Sequence, residues 1–88
     1  MVLNDINKLE PVRECYYMIW FRNKKNGRKC FHRNTIGAQC IFRGYENAMV
    51  VFNSLLRLHP EVHLVKYYDD DPEDKEIMVR EVISYDEE

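Results

Sequence analysis

The sequence predicts an α+β fold: an antiparallel sheet of four to five strands with one α-helix packed on one face, in the order β-β-(β)-α-β-β. Three observations predict it. Only one stretch, residues 44–60, repeats its apolar residues at helical spacing. The other apolar runs are short, rich in β-branched and aromatic residues, and bounded by turn residues. Two of those turns, Asn26-Gly27 and 69–74, join neighbouring strand-like runs as hairpins would.

With 88 residues the chain has material for a single small domain with one thin core, typically a layer of helix on a layer of sheet. Its hydrophobic fraction of 45 % is ordinary for a globular protein. The longest apolar run, Cys15 to Phe21, falls well short of the roughly 20 residues that span a bilayer. The first residues mix Asp5, Lys8, Glu10 and Arg13 with few apolar positions and do not read as a signal peptide. These features predict an intracellular, cytoplasmic protein with no membrane partner. Three cysteines, Cys15, Cys30 and Cys40, are an odd number without repeated spacing, so all three are expected to be reduced. Cys15 and Cys40 lie in apolar contexts that suit small core residues.

In chain order, residues 1–11 form an N-terminal arm that ends at Pro11, which disfavours helix in the residue before it. Residues 12–43 form the N-terminal hairpin and a connecting strand. The first strand, 12–22, carries Tyr16, Tyr17, Ile19, Trp20 and Phe21, all good β-formers. Alternation puts Cys15, Tyr17, Ile19 and Phe21 on one face and Tyr16, Met18, Trp20 and Arg22 on the other. Both sets are largely apolar, which predicts a central strand. Asn23 to Gly27 then turns the chain, with Asn26 and Gly27 both suited to positive φ, and a second strand runs from Arg28 to about Arg33. Asn34 to Gly37 reads as another turn or bulge, followed by a short strand, 39–43.

The helix is expected from Tyr45 to Leu58. Ala48, Phe52, Leu55 and Leu56 fall at helical spacing, and Met49 and Val51 widen the stripe. Glu46 in the first turn and Arg57 in the last suit the helix dipole, and Pro60 ends the element. Residues 61–88 form a C-terminal hairpin of strands 62–68 and 76–85 around the acidic turn, with a charged tail.

Hydrolytic chemistry finds no support: Ser54 falls on the helix and Ser84 in a strand, neither on a glycine-rich sharp turn. Cys30-x-His32, Cys40 and His59-x3-His63 contain zinc-ligand residue types, but no Cys-x2-Cys knuckle accompanies them. The acidic turn lacks the alternating ligands and central glycine of a calcium loop. No enzyme, cofactor or metal site is therefore expected.

The charge distribution says more than the net charge of −2. Residues 22–57 hold eight basic residues and one acidic residue, whereas residues 69–88 hold ten acidic and two basic ones. Three surfaces emerge. The acidic turn (Asp69, Asp70, Asp71, Glu73 and Asp74) mimics a row of phosphates and would suit a basic groove on a protein partner, such as a nucleic-acid-handling enzyme. Tyr16, Met18 and Trp20, joined by Met78 and Val82, would form an exposed face opposite the helix and a second contact for that partner, unless the arm folds over them. The basic hairpin (Arg22, Lys24, Lys25, Arg28, Lys29 and Arg33), interleaved with Phe21, Phe31 and His32, is a candidate nucleic-acid surface.

The hairpin, helix, hairpin layout resembles that of many small proteins of phages and mobile elements, among them inhibitors of host defence or host enzymes. The resemblance is one of size and layout. It implies a non-enzymatic interaction module, an inhibitor or modulator of a protein. The alternatives are a small RNA- or DNA-binding domain and a self-associating structural protein in which the two charge blocks of different copies meet.

Overall fold

In a computed structural model, residues 13–84 are described. Residues 1–12, which hold the N-terminal arm and the start of the expected strand 12–22, and residues 85–88, which hold the end of the expected strand 76–85 and the charged tail, lie outside them, as does the suggestion that the arm covers the sheet.

Four strands and one helix follow in the order β1 (Cys15–Arg22), β2 (Lys29–Phe31), α1 (Tyr45–Leu55), β3 (Glu61–Tyr68) and β4 (Ile77–Ile83). The strands form one antiparallel sheet in the order β2-β1-β3-β4. β1 is central, as its two apolar faces predict. It pairs with β3 from Cys15↔Tyr68 to Phe21↔Val62 and with β2 from Trp20↔Phe31 to Arg22↔Lys29. The short strand expected at 39–43 is reduced to two isolated bridges, Tyr17↔Phe42 and Arg33↔Gln39. Residues 34–37 between the bridged positions are a tight turn, in which the Asn34 side chain accepts from the Ile36 and Ala38 amides and Gly37 takes φ +90°.

The core lies between α1 and one face of β1 and β3. Ala48, Phe52 and Leu55 of the helix pack on Ile19, Val62 and Leu64, with Tyr17, Phe21, Phe42 and Val82 around them. The alternation of β1 and the helical stripe meet here, and Phe52 is completely buried. α1 begins at Gly44, which supplies extended backbone but no side-chain cap, with Glu46 in the first turn. It ends at Leu55, three residues earlier than the periodicity predicts. The next amides tighten into shorter loops, Arg57 bonding to the Ser54 carbonyl and Leu58 to that of Leu55. Arg57 therefore lies beyond the last helical turn, where no basic residue is found.

Three further expectations are corrected. In the first hairpin Gly27 alone adopts positive φ, at +72°, while Asn26 does not. The Asn23 side chain stabilises the turn by accepting from the Lys25 and Asn26 amides, and Asn26 accepts from Arg28. In β4 the register jumps from Leu64↔Arg80 to Val65↔Met78, leaving Val79 as an extra residue. This bulge returns Val82 to the helix side while Met78 faces the other way, so the two do not share a face. The three cysteines are free and only half-buried, so Cys15 and Cys40 are not core residues.

Candidate interaction surfaces

On the face opposite α1, β1 contributes Tyr16, Met18, Trp20 and Arg22, and β3 contributes Glu61, His63, Val65 and Tyr67 directly beside them. The sequence predicts Met18 and Trp20 as exposed, yet they are 8 % and 6 % exposed. Met18, Trp20 and Val65 form a second small core, with Tyr16, Phe31 and Tyr67 packed against it. The His63 ring stacks on the indole of Trp20 at 3.7 Å, and Tyr16 stacks on Tyr67 at 5.3 Å. Cross-strand neighbours, His63 for Trp20 and Val65 for Met18, thus take both out of the set of open contact residues; Tyr16 is half-buried.

Polar groups border this second core. Glu61 is buried; its carboxylate lies 2.7 Å from His63 Nε2 and 3.2 Å from Arg22 Nε. His63 Nδ1 is buried without a hydrogen-bond partner, with a Glu81 oxygen 3.4 Å away. Glu76 accepts from Trp20 Nε1 at 3.2 Å, Lys29 Nζ at 2.9 Å and the Tyr67 hydroxyl at 3.1 Å. Desolvation pushes the Glu76 carboxyl up, but the Lys29 and Tyr67 hydrogen bonds, the Lys29 charge and the Trp20 bond outweigh it, and its pKa is lowered. Burial and the neighbouring Glu76 charge push the Tyr67 phenol above its usual range. Sequence reasoning missed Glu61, His63 and Glu76 as structural groups. The available signal was the polar pair Glu61 and His63 interleaved with Val62, Leu64 and Val65 and spaced to share a face.

The basic hairpin divides in two. Arg22 and Lys29 are engaged by Glu61 and Glu76 and cover Trp20, their charged groups 5.3 and 4.7 Å from its ring. Lys24, Lys25 and Arg28 are exposed and have no carboxylate partner among the described residues. Arg33 is also exposed and donates to the Gly37 carbonyl.

The acidic turn divides similarly. Asp69 accepts from Arg43 at 2.9 Å and Asp70 from Arg13 at 2.8 Å. Asp71 accepts from the Glu73 and Lys75 amides, which hold its pKa below the usual carboxylate range. Asp74 takes φ +52°, and Glu73 faces Lys75 at 3.8 Å in open solvent. Of the five acidic residues, three therefore have a local role and Glu73 and Asp74 face outward.

The two histidines of His59-x3-His63 serve opposite sides of the sheet. His59 stacks on Phe21 at 3.8 Å on the helix side, whereas His63 stacks on Trp20. Among the described residues no group of three or more His, Cys, Asp or Glu is placed to hold a metal ion. Among them, too, no helix is long and apolar enough to cross a membrane.

The fold and these surfaces define a small α+β protein. No family model matches the chain, and no curated protein or solved structure matches it significantly.

Proposed function

We propose that the protein is a non-enzymatic interaction module that engages a protein partner along β4, with the acidic turn as an adjoining electrostatic arm. One observation carries this reading. β4 is the outer strand, no strand lies beyond it among the described residues, and Ile77, Met78, Val79 and Ile83 are exposed. An edge with free backbone groups and apolar side chains can take an added strand from a partner. The bulge at Val79 and the charges of Arg80 and Glu81 break the edge's regularity, which discourages indiscriminate pairing. Glu73 and Asp74 lie in the turn that leads into this strand and favour a basic partner. A module of this size acts on a partner by occupancy, as an inhibitor or modulator does.

Photo-crosslinking tests the reading. A benzophenone side chain at Val79 is compared with one at Asn53, on the exposed side of α1, in extract from the native host. A specific protein adduct at position 79 and not at 53 is expected. Equal labelling at both positions, or none at 79, would overturn the β4 interface.

A second reading rests on Lys24, Lys25 and Arg28, cations of the first hairpin that have no carboxylate partner among the described residues. They could bind nucleic-acid phosphates, and such binding would weaken steeply with salt. Failure to retard single- or double-stranded probes at low salt would remove it.

A further inference from the structure

The turn that follows α1 and the tip of the first hairpin border a cleft of about 360 Å³. It lies at the end of the sheet where Arg22 pairs with Lys29. The acidic turn lies at the other end, beyond the pair Cys15↔Tyr68. Seven residue steps along β1 separate the two ends, about 23 Å at the usual strand rise. The acidic turn therefore does not neutralise this end of the same molecule.

Lys24, Arg57 and His59 line the cleft together with Leu56, Leu58 and Val82. Lys24 and Arg57 are exposed and, among the described residues, neither has a carboxylate partner. This contrasts with Arg13, Arg22, Lys29 and Arg43, each of which holds a carboxylate. Leu58 is 69 % exposed, so the cleft offers apolar surface beside two unspent cations. Burial, and then the nearby His32, lower the pKa of His59, making it a neutral hydrogen-bonding wall at neutral pH.

We propose that this cleft binds an acidic peptide segment in which a carboxylate sits beside an aliphatic or aromatic side chain. Lys24 and Arg57 take the carboxylate, and Leu56, Leu58 and Val82 take the apolar group. The mixed lining selects against a bare inorganic anion, which would gain nothing from the leucines. The cleft also adjoins the C-terminal end of α1, whose dipole disfavours a dianion such as phosphate more than a single carboxylate. The site is separate from the β4 interface and does not rest on that reading.

The test is an NMR titration of the ¹⁵N-labelled full chain with the peptide acetyl-Leu-Asp-Leu-amide. The comparison ligands are acetyl-Leu-Asn-Leu-amide and inorganic phosphate. The expected result is saturable shifts of the Lys24, Arg57 and His59 amides, with affinity about tenfold weaker for the Asn peptide, as loss of a charge-assisted hydrogen bond implies. Lys24→Ala and Arg57→Ala, both at exposed positions, are each expected to weaken binding by a similar factor with the spectrum otherwise preserved. Because Asp86, Glu87 and Glu88 follow Ser84 in sequence and have the ligand's own chemistry, a chain with those three changed to Asn or Gln is titrated in parallel. Binding in either chain that depends on Lys24 and Arg57 supports the site. Equal affinity for the Asn peptide, equal response to phosphate, or no shifts in either chain overturns it.

Discussion

The indole of Trp20 and the imidazole of His63 lie face to face across β1 and β3, 3.7 Å between centroids and 8° between planes. They are directly opposed in the strand register, and each protects the other from solvent. The indole N–H reaches Glu76, so one side chain joins the β1–β3 pair to the residue just before β4. Trp20→Ala is expected to cost about 3–5 kcal/mol, as truncation of a buried aromatic does. Trp20→Phe keeps a ring and loses the N–H···O bond, for a further expected difference from wild type of about 1 kcal/mol. Urea unfolding followed by far-UV circular dichroism measures both. Identical midpoints for the two variants would show that this ring does not hold the second core together.

Glu76 makes stability depend on acid. Its folded pKa lies below its unfolded value because Lys29, Tyr67 and Trp20 favour the charged carboxylate more than desolvation disfavours it. Its contribution is fully present above the unfolded glutamate value and is lost as pH falls through the folded value. Glu76→Gln should therefore be less stable than wild type at neutral pH and should unfold with a shallower pH dependence below about pH 4.5. Parallel urea midpoints at every pH would show that Glu76 is not the linked group.

His59 acts in the same direction at higher pH. Burial, then His32, lowers its folded pKa, so stability is complete above the unfolded value and declines as pH falls through the folded one. His59→Phe retains an aromatic ring against Phe21 and removes the proton. The variant is expected to lose the part of the pH dependence that begins near about pH 6.5. Thermal unfolding scans between neutral and mildly acidic pH check this, and an unchanged profile would count against the assignment.

Carboxylates of one charge should differ widely in importance. Glu61 is buried between His63 and Arg22, whereas the exposed Glu73 carboxylate faces, among the described residues, an exposed lysine. Glu61→Ala strands groups that need a partner and is expected to cost about 3 kcal/mol. Glu73→Ala should stay within about 0.5 kcal/mol of wild type. Comparable losses measured by chemical denaturation would mean that overall charge, and not burial, sets the effect.

Gly27 and Gly37 hold the two turns at φ +72° and +90°, and a Cβ at either would meet nothing within 4 Å. Substitution therefore tests backbone conformation without a steric clash. Gly27→Ala and Gly37→Ala are each expected to cost about 1–2 kcal/mol, and Gly27→Asn less, since asparagine tolerates that region better. Alanine variants as stable as wild type in the same denaturation assay would contradict this account of the turns.

Much of the architecture was legible because the signals are local. Ala48, Phe52 and Leu55 show the buried side of α1 through spacing alone, and Gly27 and Gly37 punctuate the strands through their backbone freedom. β1 could be read as central because both of its faces are apolar. Two opposed charge blocks were visible too, but not what they do. Arg22 meets Glu61, Lys29 meets Glu76, Arg43 meets Asp69 and Arg13 meets Asp70, pairs separated by 26 to 57 positions. Those pairings depend on strand order and register, which bring distant carboxylates and cations to the same place. Tertiary structure also decided that Trp20 and Met18 are covered, through the cross-strand neighbours His63 and Val65. It sent Val82 to the helix side and Met78 to the other through one extra residue at Val79. Side-chain alternation follows from the backbone of a single strand, whereas partner, register and bulge belong to two strands at once.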